Sequence, residues 1–370
     1  MKHSILAAYL PAYYHILKRW SNNLVYIDGF AGPGSYLQAA TGKTFDGSPL
    51  LALQLIASNE DFSKQVSTIF IESDDVLFNQ LKDKVDNFYR EHPNIRKPLS
   101  RCGTFPDTLN EILGRLEGKL APTFLFVDPC GVSGASFETI RAVMANEKCE
   151  AFIFFNIDGV RRIAGLSALS PVLVELMGSE ERAITLHDKL RTINNVRERE
   201  EIILFEYRRA VAEDMGANYI IPFRVEHEEQ RKASHYLIHA TKHSLGFSIM
   251  KDVMWRRGHG EDLPGGLELK QKSRTNFIPM FDTHAEIKEE ILDALKVGQV
   301  RVSVFYQEWT MRPTDMRCEA AYRQALLELE ADDKIEVLSK DGKNVICVDA
   351  RPKRKDKPTL AKDYYVRLKN

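Results

Sequence analysis

Apolar positions along this chain recur with two periods. From Ser4 to Trp20 they step at helical spacing, through Ile5, Leu6, Tyr9, Leu10, Tyr13, Ile16 and Leu17, which predicts an opening helix. After it come short, nearly continuous apolar runs, each stopped by an acid or an asparagine, at residues 24–28, 66–74, 123–128 and 151–156, and a further strand is expected at 97–102, before Gly103. Runs rich in β-branched and aromatic residues with no polar face predict parallel strands buried on both sides. Helices are expected at residues 50–56, behind Ser48 as cap and Pro49 at the first helical position, at 76–89 behind Asp74 or Asp75, and at 106–116. Two late runs, 219–225 and 236–241, are separated by a charged stretch too short for a crossover helix, which predicts antiparallel pairing. Residues 166–209 carry charged helical patterns beyond what such a sheet requires and are expected to form an inserted lid or substrate-facing subdomain.

The first strand introduces the chemistry. Tyr26-Ile27-Asp28 runs into Gly29-Phe30-Ala31-Gly32-Pro33-Gly34, and glycines there let the backbone take positive φ and approach a bound molecule closely. The dinucleotide fingerprint puts its glycines first and an acid about 20 residues later; here the acid comes first. An acid followed by x-Phe-x-Gly-x-Gly at a strand end resembles motif I of class I S-adenosylmethionine-dependent methyltransferases, where the loop lies along the amino-acid part of the cofactor. On that resemblance Asp28, Phe30, Gly32 and Gly34 bind S-adenosylmethionine, and Ser48 opens a helix whose amino terminus faces its carboxylate. Glu72, at the end of the second strand, accepts from the ribose hydroxyls, and Gly103 and Thr104 lie near the adenine. The implied fold class is α/β: a class I methyltransferase-like (Rossmann-like) seven-stranded sheet whose last strand runs antiparallel. No Walker lysine follows the glycines, which argues against an NTPase.

A second anchor is Phe126-Val127-Asp128-Pro129-Cys130-Gly131. An apolar strand ending in Asp-Pro sets a carboxylate at the carboxyl edge of the sheet, where α/β enzymes do their chemistry. Asp128 and Pro129 are the candidate catalytic residues, Asp128 accepting a hydrogen bond from an acceptor amine or hydroxyl. They match the first half of the Asp/Asn-Pro-Pro-aromatic loop of amino-methyltransferases, which lacks its second proline and aromatic here. Cys130 as a nucleophile toward cytosine would need an acid partner, and Asn156-Ile157-Asp158 stands where Glu-Asn-Val is expected. A small buried thiol is the alternative for Cys130.

Beyond Met280 the pattern changes. Helical stripes at residues 283–295, 302–309 and 316–330 precede two apolar runs, 334–338 and 344–348, around Asp341-Gly342. Three helices and a hairpin resemble a winged helix-turn-helix, a module that docks proteins or reads nucleic acid. The expected organisation is an α/β domain over 1–257, a glycine-rich linker over 258–281, and the winged-helix-like domain over 282–370. The basic stretch 351–357 offers phosphate contacts or is a solvated tail.

Composition narrows the picture only slightly. The 370 residues are 44% hydrophobic with a net charge of −1, enough for a sizeable core and giving no global pull toward nucleic acid or membrane. Five scattered cysteines show no metal or cluster spacing, and no run of about eighteen apolar residues occurs, so a soluble, reduced, cytoplasmic protein is expected. His235, His239 and His243 recur every four residues through and just beyond the expected strand at 236–241, where an extended chain sets successive members about 13 Å apart, too far to share a metal.

Several stretches together carry a more specific resemblance. They are Lys2-His3-x-Ile5-Leu6-x-x-Tyr9-Leu10, the Tyr26–Gly34 loop, Gly47-Ser48-Pro49, Phe70-Ile71-Glu72, Phe126-Val127-Asp128-Pro129-x-Gly131 and Ala240-Thr241-x-His243. In this order, over most of residues 2–257, they resemble the three-Cys-motif partner proteins. Members of that family are typically encoded beside a protein with three clustered cysteines related to radical S-adenosylmethionine enzymes, and such a partner is implied. Cys130 departs from the family pattern, which tends to carry phenylalanine there. Two function classes follow: a methyltransferase acting on nucleic acid with that partner, and a non-catalytic scaffold that keeps the cofactor fold for docking.

Overall fold

The computed structural model describes residues 2–38, 42–167, 169–226, 233–258, 284–312, 317–354 and 357–369. Helix α1 (Lys2–Leu17) leads into β1 (Leu24–Asp28). The glycine loop then opens into a hairpin, β2 (Ser35–Gln38) and β3 (Lys43–Asp46), before α2 (Ser48–Ala57) and α3 (Glu60–Gln65). Next come β4 (Val66–Glu72), α4 (Asp75–Glu91), β5 (Leu99–Cys102), α5 (Phe105–Arg115), β6 (Thr123–Val127), α6 (Phe137–Met144) and β7 (Glu150–Phe155). Four helices follow, α7 (Ile157–Leu166), α8 (Pro171–Met177), α9 (Glu180–Arg191) and α10 (Val196–Met215), then β8 (Tyr219–Glu226), β9 (Ala233–Thr241) and α11 (Ser244–Gly258).

Seven of these strands form one sheet in the order β5-β4-β1-β6-β7-β9-β8. All neighbours up to β7 are parallel, and β9 runs antiparallel between β7 and β8. This is the α/β, seven-stranded, mostly parallel sheet that the apolar runs predict. Its centre is aromatic: Tyr26, Phe124, Phe126 and Phe152 are fully buried, and Tyr9 and Tyr13 of α1 lie with their ring centroids 5.6 and 5.5 Å from that of Phe124. Each buried Phe of this kind contributes about 1.5–3 kcal/mol over leaving it in water.

Caps decide several helix starts. Asp74, not Asp75, caps α4, accepting from Val76 N and Leu77 N at 2.9 Å each. Asn59 caps α3 in the same way, from Asp61 N and Phe62 N. Asn59→Ala should lower stability by about 1 kcal/mol, read as a lower denaturant midpoint at unchanged slope. For α2 the cap is Gly47 rather than Ser48, which is the first helical residue and makes no capping bond. The expected insert at 166–209 comprises α8, α9 and most of α10, which continues to Met215 and packs on β8. Glu200 of α10 is buried between Arg161 (3.3 Å) and Arg224 (3.7 Å). Burial pushes its carboxyl pKa up against the pull of those two cations.

The chain divides into two compact units, and the division falls inside α11, after Phe247, rather than at residue 257. The expected linker lies, except for Gly258, outside the described residues; of the turn expected over 226–233, residues 227–232 do too, while Glu226 and Ala233 are strand ends. The second unit holds α12 (His284–Leu295), β10 (Val300–Arg301), a π-helical segment Val304–Trp309, α13 (Glu319–Ala331), β11 (Ile335–Leu338), the short pair β12 (Lys353–Arg354) and β13 (Lys357–Pro358), and β14 (Tyr365–Leu368). Ile287, Ile291, Phe305, Trp309, Tyr322 and Leu326 share its core. Lys251, 1% exposed, donates to the carbonyls of Thr310 and Arg317 within this unit, which is why the unit reaches back into α11.

The expected hairpin around Asp341-Gly342 forms only its turn. Gly342 has φ +70°, but residues 344–348 make a single bridge to Leu338, and β11 pairs with β14 instead, giving a sheet β10-β14-β11. The basic stretch is not a free tail either. Arg351 is buried against Glu330 at 2.5 Å, and Lys353–Arg354 pairs with Lys357–Pro358. No helix among the described residues is long and apolar enough to cross a membrane.

Candidate functional site

The strand order reverses between β1 and β6, and at such a switch point the loops at the carboxyl ends diverge and leave a crevice. Asp28 ends β1 opposite Phe126 of β6, and Asp128 stands two residues beyond Phe126 on the adjacent strand. Both acids are thus at one edge, on neighbouring strands. Asp28 is fully buried and its Oδ1 accepts from Phe30 N at 3.2 Å, which turns the chain out of the strand. Asp128 is half-buried, Pro129 buried and Cys130 exposed, so the small buried thiol expected at Cys130 is not what the fold makes.

The glycine loop is held on both sides. Gly29 N donates to Phe126 O and Ala31 N to Ile71 O, each at 2.9 Å. Gly32 and Gly34 have φ of +62° and +79°, the left-handed region that a side chain would strain. Gly32 N donates to Glu72 Oε2 at 2.8 Å, and Asp74 N donates to Glu72 Oε1 at 2.8 Å. Glu72 therefore ties the loop to the end of β4. A carboxylate oxygen has two lone-pair directions, so each keeps one for a further donor.

Helix α2 reaches the same place, because Gly47 N donates to Gly34 O at 2.8 Å and a Cβ at Gly47 would sit 3.0 Å from that oxygen. On the other flank Gly103, with φ +151°, donates to Glu72 O at 3.0 Å. Phe30 packs on Phe105 with centroids 5.5 Å apart. Thr104, beside it, caps α5, accepting from Asp107 N and donating to Asp107 Oδ2 at 2.6 Å.

Sequence reasoning missed Tyr36. It lies on the hairpin β2–β3, and its hydroxyl stands where a Cβ on Gly32 would be 2.4 Å away. Burial, reinforced by Asp28, Asp128, Cys130 and Glu72, pushes that hydroxyl pKa up to about 12, so it stays protonated and can donate at neutral pH. The alternation Tyr36-Leu37-Gln38 against Thr44-Phe45 was the signal available for the hairpin. Arg161, just past β7, is engaged with Asp158 (2.6 Å) and Glu200. Among the described residues no cluster of His, Cys, Asp and Glu is placed to hold a metal.

The residues fit the cofactor that the loop implies. Gly32 and Gly34 hold the loop in the left-handed region, a helix start abuts Gly34, and Glu72 has acceptor capacity left for hydroxyls.

No family model matches the chain, and no curated protein matches it. Similar solved structures include protein LPL1258 from Legionella pneumophila, at 12% identity and TM-score 0.38, covering 65% of this chain and 83% of that one. Precorrin-6y C5,15-methyltransferase from Geobacter metallireducens is similar at 13% identity and TM-score 0.29, covering 63% and 87%. The methyltransferase domain of bacterial CtHen1-C is similar at 9% identity and TM-score 0.29, covering 64% and 98%. The fold assignment rests on strand order and register, and the site on the residues above.

Proposed function

We propose that this protein is an S-adenosylmethionine-dependent methyltransferase that works on nucleic acid beside a three-Cys-motif partner. The observation that carries the reading is the left-handed Gly32–Gly34 loop tied to Glu72 at the switch point, with Asp128 on the adjoining strand. When bound, the cofactor supplies an electrophilic methyl group. Gly32, Gly34, Phe30 and the start of α2 would hold its amino-acid part, Glu72 its ribose, and Gly103 the adenine side. Asp128 would accept a hydrogen bond from the acceptor's amine or hydroxyl, aligning it and stabilising the positive charge that develops there. Tyr36, protonated at neutral pH, is a donor facing the same space.

The second unit is read as a winged-helix-like docking or nucleic-acid module, on its helices and three-stranded antiparallel sheet. A different observation favours a scaffold without catalysis: the Tyr36 hydroxyl lies over Gly32, in space that close approach to the loop requires. Calorimetric titration with S-adenosylmethionine separates the two. A methyltransferase gives saturable heat with the full chain, and the scaffold reading gains if none appears at millimolar cofactor.

A further inference from the structure

The stretches around Tyr9 and Thr241-x-His243, which the cofactor reading leaves without a task, meet at the opposite edge of the sheet. Glu150 opens β7, and Val127 pairs with Ile153, so Asp128 is level with Phe154, about 13 Å along the strands from Glu150 at ~3.3 Å per residue. Glu150 is 3% exposed. Its Oε2 accepts from the Tyr9 hydroxyl at 2.5 Å and lies 3.0 Å from His239 Nε2, while Oε1 accepts from the Thr241 hydroxyl at 2.8 Å. Burial and the Glu150 charge hold the Tyr9 hydroxyl pKa well above its usual range, so it remains a donor.

These partners satisfy the carboxylate without neutralising it. His239 is fully buried, its Nε2 faces Glu150 and its Nδ1 has no hydrogen-bond partner. Among the described residues no lysine or arginine is ion-paired with Glu150. A carboxylate accommodates about four donors, and the side-chain donor on the Oε1 edge is the Thr241 hydroxyl. The backbone lies against that edge at Gly246, where a Cβ would fall 2.5 Å from Oε1 and 2.9 Å from the Tyr9 hydroxyl.

A cavity of about 330 Å³ opens onto this carboxylate, walled by Tyr9, Tyr13, Trp20 and Leu245. That is the size of a small-molecule site, and it has the usual make-up of apolar walls and few polar groups. Its rim already holds a cation: Lys148 Nζ sits 5.7 Å from the centre of the Trp20 ring. Aromatic faces and an uncompensated carboxylate both attract positive charge.

We propose that this cavity is a binding site for a small organic amine carrying an aromatic or branched aliphatic group. The ammonium goes to Glu150 Oε1 and the apolar part lies between Tyr13 and Trp20. This site is separate from the cofactor loop, so the proposal stands or falls independently of the methyltransferase reading. The test is calorimetric titration of the full chain with phenethylamine and with phenylacetate, which has the same ring and the opposite charge. Saturable heat is expected with phenethylamine, at least about tenfold tighter than with phenylacetate, and at least about tenfold weaker in Glu150→Gln. Because Glu150→Gln disturbs a buried network, Leu245→Arg is the second variant. Residue 245 is 52% exposed at the cavity wall, and an arginine there competes for the carboxylate while Tyr9, Glu150, His239 and Thr241 are left unaltered. It should weaken phenethylamine by a similar factor at an unchanged melting temperature. Absence of saturable phenethylamine binding to the wild type, equal binding of phenylacetate, or full binding by folded Leu245→Arg would each overturn the proposal.

Discussion

Asp128→Asn should keep the fold and the cofactor affinity and lower methyl-transfer turnover by about one to three orders of magnitude, the scale for losing one transition-state contact. The side chain keeps its shape and loses its charge. At the end of β6 that charge lies within electrostatic reach of the Tyr36 hydroxyl and one strand from the glycine loop, where an acceptor gaining positive charge would be held. The assay is transfer from labelled S-adenosylmethionine, normalised to folded protein and run with the implied partner present. A fall in melting temperature with intact transfer per folded molecule would instead make Asp128 a structural residue and favour the scaffold reading.

Glu72→Ala should weaken S-adenosylmethionine binding about ten- to a hundredfold, from the roughly 1.5–3 kcal/mol carried by hydrogen bonds to a charged group. Two effects add here. The carboxylate acceptor for the ribose is lost, and so is the 2.8 Å bond that holds Gly32 in place. Glu72 is the last residue of β4, so the sheet beneath should melt as before. Glu72→Gln, which retains one acceptor oxygen, should fall between wild type and alanine. Unchanged affinity in the alanine variant would remove Glu72 from the site.

The acids and glycines at the carboxyl edge were legible because a strand buried on both faces must be apolar to its end, and the first polar residue then marks the edge. Asp28, Glu72 and Asp128 were found this way. The hairpin carrying Tyr36 was not, since Tyr36 and Leu37 are 49% and 70% exposed and an exposed two-stranded ribbon leaves little hydrophobic signal. Pairing of β11 with β14 was hidden for another reason. The local turn at Asp341-Gly342 is real, but the partner strand is chosen by a core assembled from residues about thirty positions away, which no short window records. Glu150 reads as the polar start of a strand, and its burial depends on Tyr9 and Thr241, each far off in sequence.

The antiparallel strand has a consequence for synthesis. β8 leaves the ribosome before β9, yet it joins the sheet only through β9, and the outer edge of β7 stays bare until Thr241 has emerged. That edge is Ala151-Phe152-Ile153-Phe154-Phe155, an uncharged run of high β-propensity and the kind of sequence that templates aggregation between chains. Nascent or prematurely terminated chains ending between residues 156 and 241 are therefore expected to aggregate more readily than the full chain, in which the nine residues of β9 cover that edge.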